Sequence, residues 1–219
     1  MSEIRIKSLT LGLVQTNCYI VYDEETKRGA IIDPGDCAEQ IIAFCDNLGV
    51  KPEAVLLTHG HFDHMMAAEE VKNHYDLKIY ASEAEVEVLA DPNKNLMWDY
   101  YEENYTFAPD VTLKDGEKFE AAGFTWTVLV TPGHTIGCSC YYIESEEVLF
   151  SGDTLFRDSY GRVDLPTGDA MAMFASVKRL VNEIPEKTIV YPGHSGVTTI
   201  EYEKKHNPLA TYDPLKKRY

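Results

Sequence analysis

Short apolar runs separated by polar turns dominate the first quarter of the chain and predict a sheet with one interrupting helix. Residues 3–11, 17–23 and 28–33 are typical of three successive strands, and the polar turn between the last two favours an antiparallel start. Residues 38–48 carry apolar side chains at helical spacing, so they predict a helix. The apolar run at 54–57 then predicts a fourth, buried strand.

Two more helices are predicted after this strand. Residues 64–75 have a helical pattern, for which Asp63 could serve as the N-cap. Residues 82–90 begin with Ser82 and Glu85 at the spacing of a capping box, in which two side chains satisfy free backbone N–H groups at the start of a helix.

The segment 91–109 is irregular and combines five aromatic side chains with acidic ones. It could cover a pocket, contact another subunit or pack on its own core, and the last is the commonest fate of such residues. From residue 111 onward the pattern returns to strands, with helices predicted at 169–182 and 198–206. Strands dominate each half and helices follow the loops, so we expect two layered sheets with helices outside, in a single domain spanning 1–219.

Composition and charge limit the binding partners and the cellular location that we expect for the protein. The chain of 219 residues has a net charge of -16, so binding to nucleic acid is not expected, because it depends on clustered Lys and Arg. The first residues alternate like a strand and no apolar run is long enough for a membrane span, so we expect a cytoplasmic protein without membrane attachment. The five cysteines are odd in number and form no Cys-x-x-Cys pair, which argues against disulfides or a thiolate zinc site.

Four of the predicted strands end in side chains that bind metals. The strand at 54–57 leads directly into a run with four such side chains, and Pro/Gly turns after three later strands each carry one more. The residues are His59, His61, Asp63 and His64 in the first run, followed by His134, Asp153 and His194. If the sheets bring these strand ends together, seven nitrogen and oxygen donors converge on one spot.

The spacing within the first run favours two neighbouring metals. His59, His61 and Asp63 are two residues apart, so in an extended loop their side chains leave on the same side, while His64 points elsewhere. Imidazole and carboxylate donors suit zinc, iron or manganese. His74 and His206 have no such partner motif and are interpreted as ordinary surface or core residues.

These motifs resemble those of the metallo-β-lactamase-fold hydrolases, whose signature is His-x-His-x-Asp-His followed by distant His, Asp and His. The resemblance covers residues 4 to about 200 and implies a four-layer αβ/βα sandwich of the α/β class. It assigns His59, His61 and His134 to a first divalent metal and Asp63, His64 and His194 to a second, with Asp153 bridging both. Zinc is the expected metal. Asp33 matches a family position near the site, although it could equally be a turn-forming Asp before Pro34.

Further details resemble the glyoxalase II branch, particularly its compact bacterial members. Asp153 stands where zinc β-lactamases usually have Cys or Ser, and His61 stands where the redox di-iron branch has Glu. The stretch after Asp153 is similar to that of glyoxalase II and contains Arg162 and Tyr160, which are candidates for substrate contacts. Arg162 could instead form a salt bridge with a nearby aspartate. Too few residues follow His194 for the C-terminal domain that helps two-domain glyoxalases hold glutathione.

The resemblance implies hydrolysis of a small-molecule thioester, such as S-D-lactoylglutathione, through a metal-bridging hydroxide. Asp63 would orient the nucleophile or accept its proton. One alternative is a persulfide dioxygenase with a single iron, and others are a lactonase or a phosphodiesterase of the same superfamily. A metal-binding module without activity is the alternative that is not an enzyme.

Overall fold

Two mixed six-stranded sheets form the framework of the protein, seen in a computed structural model that describes residues 3–212. The strands of the first sheet are β1 Ile4–Leu11, β2 Thr16–Asp23, β3 Arg28–Ile32, β4 Lys51–Leu56, β5 Lys78–Ser82 and β6 Val111–Leu113. The strands of the second are β7 Lys118–Ala121, β8 Phe124–Val130, β9 Ser139–Ile143, β10 Val148–Gly152, β11 Ile189–Pro192 and β12 Thr198–Thr199.

Eight α-helices are described alongside these sheets. They are α1 Ala38–Leu48, α2 Phe62–Met65, α3 Ala68–Tyr75, α4 Val86–Leu89, α5 Met97–Tyr101, α6 Ala170–Glu183, α7 Ile200–His206 and α8 Pro208–Thr211. None of the helices within residues 3–212 is long and apolar enough to cross a membrane.

The strand directions bring several strand ends to the same edge. Strands β1 to β3 pair antiparallel, which confirms the predicted antiparallel start, and β3 to β6 pair parallel. In the second sheet β8, β9 and β10 alternate in direction, so β8 and β10 run the same way, and β11 pairs parallel with β10. The carboxyl ends of β8, β10 and β11 therefore lie at one edge.

Alternating side chains of the strands divide the core into layers. In β3, Ile31 packs into a cluster with the helices α1 and α3, whereas Ala30 and Ile32 face a second cluster between the sheets. A third cluster joins the outer face of the second sheet to α6, through residues such as Leu149 and Val177. Helices thus cover both outer faces of a pair of sheets, which confirms the predicted αβ/βα sandwich.

The helix predicted at 64–75 is divided in two by a turn at Met66 and Ala67. The N–H of Ala67 donates to Pro34 O at 3.0 Å rather than continuing the first helix. Gly35 packs so closely on the backbone of α2 that a Cβ there would overlap the carbonyl oxygen of Asp63. The prediction of Asp63 as an N-cap is wrong, because His61 precedes α2 and Asp63 lies within it.

The capping box predicted from Ser82 and Glu85 is also wrong. The Ser82 hydroxyl donates to Gly137 O at 2.6 Å and caps nothing, and the segment forms one 3₁₀ turn followed by the single turn α4. The Glu85 carboxylate points into the core instead of back along its own helix. Long-range contacts with the loop after β8 outweigh the local pattern here.

The side chains of the aromatic segment 91–109 fall into two groups, one packed on the core and one exposed. Its inward-facing side chains, including Met97 and Phe107, pack on the core beneath the first sheet. Three others on α5, Trp98, Tyr100 and Tyr101, remain well exposed. The segment is therefore anchored by its own core contacts and presents an aromatic surface on α5.

Candidate metal centre

The loop after β4 and the short helix α2 that follows it supply four of the seven predicted side chains. His59 and His61 leave the extended part of the loop, and their ring centroids are 4.8 Å apart. The backbone between them is pressed against α4, because a Cβ on Gly60 would lie 3.0 Å from Leu89 Cγ. His64 follows in α2, with its ring 4.0 Å from that of His59.

The second sheet supplies the other three side chains from the shared edge of β8, β10 and β11. His134 lies in the loop after β8, Asp153 directly follows β10, and His194 lies two residues beyond β11. Across the two sheets, His61 Nδ1 and His134 Nε2 approach to 2.9 Å. The predicted convergence of distant strand ends is therefore seen in the structure.

The seven side chains form overlapping groups whose possible ligand atoms lie within 4.8 Å of one another. The groups are His59 with His61 and His134, His59 with His64 and Asp153, and Asp63 with His64 and His194. The first and last of these groups match the two predicted ligand sets, apart from Asp153.

Asp153 lies between the two predicted sets. Its Oδ2 is 3.5 Å from His134 Nε2 on one side and 3.5 Å from His194 Nε2 on the other. Its Oδ1 is 3.4 Å from His64 Nε2. A single carboxylate thus reaches members of both sets, as a bridging ligand must.

Several buried atoms on the side chains of this cluster have no hydrogen-bond partner. The Nε2 atoms of His59, His61 and His64 and the Oδ1 of Asp153 are buried and have no hydrogen-bond partner. Since buried polar atoms are nearly always paired, four such atoms at one place indicate donors arranged for an ion. Nitrogen and oxygen donors of this kind fit zinc, iron or manganese.

Asp33 orients one of these histidines from behind. Its Oδ2 lies 2.9 Å from His64 Nδ1 and accepts a hydrogen bond from the Thr58 hydroxyl at 2.7 Å, while its Oδ1 accepts from Thr58 N at 2.8 Å. A proton on His64 Nδ1 leaves Nε2 free as a ligand. Asp33 also has the positive φ of a turn residue. It is therefore both a turn-forming residue before Pro34 and a residue close to the site, the two interpretations that the sequence left open.

Other groups fix Asp63 and His134. The Thr16 hydroxyl donates to Asp63 Oδ2 at 2.5 Å, and His134 Nδ1 lies 2.7 Å from Arg162 O. Thr16 was not predicted, because a threonine at the start of a strand carries no signal of its role.

Glu85 is the buried group that sequence reasoning assigned to the wrong role. It is fully buried, and its carboxylate accepts from Gly60 N at 2.7 Å, Thr135 Oγ1 at 2.8 Å and Gly137 N at 2.9 Å. Burial raises the pKa of Glu85 to about 7. This carboxylate joins the loop of His59 and His61 to the loop of His134. Its two backbone donors belong to glycines, and these glycines were the available sequence signal that another group packs closely there.

The electrostatics of the cluster separate two kinds of histidine. Burial and neighbouring imidazoles hold the pKa of His59 and of His61 well below its ordinary value, so both present neutral nitrogens. Burial lowers the pKa of His64, but the carboxylates around it outweigh that effect and raise the pKa well above its ordinary value. For Asp63, burial raises the pKa, but His64 and His194 outweigh it and keep the pKa well below its usual range.

The structure places the remaining predicted residues in different surroundings. Arg162 lines the cavity over the cluster and forms the salt bridge to Asp164, with Nε and Nη2 2.8 and 2.9 Å from the two carboxylate oxygens. Tyr160 packs on the core between the second sheet and α6 and is not among the residues that line the cavity. His74 and His206 lie outside the cluster and contact the rings of tyrosine neighbours.

Comparison with known proteins agrees with this geometry. The model of the metallo-β-lactamase superfamily matches residues 11–194. The chain is 33% identical over 208 residues to the hydroxyacylglutathione hydrolase GloC of Haemophilus influenzae, covering 94% of this chain and 98% of that protein.

Solved structures extend the similarity to the whole fold. The crystal structure of the BLEG-1 B3 metallo-β-lactamase matches with a TM-score of 0.89 and 38% identity over 95% of this chain and all of that one. The crystal structure of TTHA1623 in a di-iron-bound form matches with a TM-score of 0.80 and 36% identity over 92% and 98% of the two chains. By its matched residues, its sandwich of sheets and its cluster of histidines and aspartates, this chain belongs to the metallo-β-lactamase superfamily.

Proposed function

We propose that the protein is a metal-dependent hydrolase that binds two divalent ions and cleaves thioesters. The observation that carries the proposal is the pair of donor sets joined by Asp153, whose two oxygens reach both sets. His59, His61 and His134 would hold the first ion, and Asp63, His64 and His194 the second. Zinc is the first metal to test, with iron and manganese as alternatives that the same donors accept.

When bound, the two ions would lower the pKa of water towards about 7 and polarise the carbonyl of the substrate. The protein's own contribution to the reaction begins with Asp63. This carboxylate lines the cavity, is held by the Thr16 hydroxyl and stays ionised, so it can orient the attacking water or accept its proton. The water oxygen forms a bond to the acyl carbon, the C–S bond breaks, and sulfur leaves with the electron pair.

The thioester assignment is supported by the chain's relatives and by its residues. One relative is a hydroxyacylglutathione hydrolase that matches along nearly its whole length. Arg162, at the cavity wall, could contact a carboxylate or amide of the substrate, although its guanidinium is already engaged by Asp164. We propose Arg162 as a substrate contact and the chain 1–219 as one catalytic domain, while the position of Tyr160 in the core supports no direct contact.

Release of free thiol from S-D-lactoylglutathione tests the proposal directly. The metal-replete protein is expected to release thiol, whereas Asp153→Asn is expected to lose most of the activity and part of its bound metal. Asp23→Asn is the control, because Asp23 is also a buried aspartate, 2% exposed against 6% for Asp153, but lies at the end of β2 and contacts Thr26. No release of thiol above the Asp153→Asn level from any thioester would end the proposal.

Hydrolysis of a β-lactam ring is a second candidate, because the BLEG-1 B3 metallo-β-lactamase is 38% identical to this chain. A chromogenic cephalosporin assayed beside the thioester decides between the two, and the substrate with the higher kcat/KM identifies the reaction. The persulfide dioxygenase interpretation predicts one iron per chain and oxygen uptake with glutathione persulfide. Metal counting together with oxygen consumption measures that outcome in the same preparation.

A further inference from the structure

The cavity over the metal cluster has two chemically different sides. Its volume is about 370 Å³, and its floor contains five of the predicted ligands. The remaining wall is almost entirely apolar or aromatic, and it is formed by Val14, Phe62, Leu96, Tyr100, Phe156 and Leu165. These residues come from three separate loop regions and from α2 and α5, so the apolar wall is assembled by the tertiary fold and not by one sequence run.

An aromatic pair connects the metal loop with this wall. Phe62 lies between His61 and Asp63 in the chain, and its ring centroid is 4.3 Å from that of Tyr100 on α5, with 31° between the planes. Tyr101 contacts the same ring at 5.7 Å. Tyr100 is 46% exposed although its ring packs on Phe62, so part of its ring is open to a bound group.

Few positive charges are available at this wall to bind an anionic substrate. Among the described residues, Arg162 is the single Lys or Arg that lines the cavity, and Asp164 already engages two of its three guanidinium nitrogens, Nε and Nη2. Asp99 and Glu102 are exposed on and next to α5, beside Tyr100. A substrate with two carboxylates, such as a glutathione thioester, finds one engaged cation and nearby negative charge.

Building on the proposed thioester hydrolysis, we infer that the preferred substrates carry an apolar arm, aliphatic or aromatic, that packs against Phe62 and Tyr100. The apolar wall begins at the metal loop itself, so an arm attached to the reacting carbonyl or to its sulfur reaches the wall while the carbonyl lies over the cluster. Burial of apolar surface supplies the selectivity, and Tyr100 is the residue that sets it.

Two series of thioesters test this inference and distinguish the two possible arms. The first series varies the acyl group from acetyl through butyryl to hexanoyl on N-acetylcysteamine, which is an uncharged thiol. The second keeps the acetyl group and lengthens an alkyl thiol by the same steps. In at least one series kcat/KM is expected to rise about twofold to fourfold for each methylene that leaves water, and to exceed the value for S-D-lactoylglutathione.

Variants on α5 provide a matched comparison. Tyr100→Ala is expected to lower kcat/KM for the hexanoyl ester about fivefold more than for the acetyl ester, because the longer arm loses its contact. Trp98→Ala removes an aromatic side chain of the same helix with the same 46% exposure, but Trp98 does not line the cavity. The slope of the series is therefore expected to survive in Trp98→Ala and to flatten in Tyr100→Ala.

Binding of thioethers separates this inference from the proposed reaction. S-Hexyl- and S-methyl-N-acetylcysteamine cannot be hydrolysed, and calorimetric titration measures their affinities whatever the enzyme does. Tighter binding of the hexyl compound that depends on Tyr100 supports the apolar wall, and equal binding overturns it. If thiol is released but kcat/KM does not rise with chain length in either series, the inference is overturned and the proposed thioester hydrolysis stands. If no thioester releases thiol, the proposed hydrolysis itself is rejected.

Discussion

Replacement of Asp33 by asparagine is expected to change the ligand state of His64 without disturbing the backbone. Asp33 has a φ of 50°, a conformation that asparagine adopts readily, so the turn before Pro34 is retained. The amide oxygen can still accept from Thr58 N, as Oδ1 does at 2.8 Å. The amide NH₂ then takes the position of Oδ2 and presents N–H groups to His64 Nδ1 in place of an acceptor.

The expected loss of metal-binding free energy is similar whether it is taken from the lost metal ligand or from the lost hydrogen bond. If His64 Nδ1 gives up its proton to accept from the amide, the proton moves to Nε2, which faces Asp63 and Asp153 and can no longer bind a metal. Loss of a residue that orients a metal ligand typically costs 10 to 100-fold in affinity, or about 1.4–2.7 kcal/mol. Loss of a hydrogen bond to a charged acceptor, taken separately, is worth about 1.5–3 kcal/mol.

Competition with a chromophoric chelator measures the affinity, and elemental analysis counts the ions that remain. Asp33→Asn is expected to keep its fold, bind one of two ions about 10 to 100-fold more weakly and lose activity in proportion. Asp23→Asn is the control, since it removes a buried carboxylate that bonds Thr26 and not a histidine. Equal metal affinity in the two variants would refute the assigned role of Asp33.

Three further predictions concern stability. Burial raises the pKa of Glu85 to about 7, whereas its pKa in the unfolded chain is near 4.5, so the folded chain binds the carboxyl proton more tightly. Protonation of Glu85 therefore contributes fully to stability below pH 4.5, and this contribution is lost as the pH rises through 7. Glu85→Gln should remove this slope, and its unfolding free energy relative to the wild type should rise by about 3 kcal/mol from acid to pH 8 in urea titrations; parallel curves would contradict the assignment. Gly35→Ala should cost about 3 kcal/mol or more, since its Cβ would overlap backbone of α2, whereas Gly196→Ala, with open space around it, should be nearly neutral in the same assay. Chelation of the bound metal should lower the unfolding free energy by about 2.7 kcal/mol for each site that was at 100 times its Kd, and Asp153→Asn should respond less.

The sequence predicted the convergence of the His and Asp side chains because the signal for it lies at the ends of strands. A short apolar run followed by a turn specifies both a buried strand and the point where the chain leaves the sheet, so His134, Asp153 and His194 could be placed at strand ends without knowledge of the topology. Parallel strands then bring such ends to one edge. The family resemblance supplied the meeting of the two sheets, which the pattern of apolar residues alone does not determine.

Local patterns failed where a side chain serves a distant loop. Ser82 and Glu85 have the spacing of a capping box, but a carboxylate that can accept three hydrogen bonds from the two loops of the candidate metal centre gains more there than at the end of a short helix. The same competition divides 91–109, where hydrophobicity alone cannot tell Phe107, which packs on the core, from Tyr100, which lines the cavity. Only the contact of Tyr100 with Phe62 reveals the difference. The proposed substrate contacts are therefore harder to predict than the proposed ligands, because a metal restricts its ligands to a few residue types, whereas an apolar wall can be built from many.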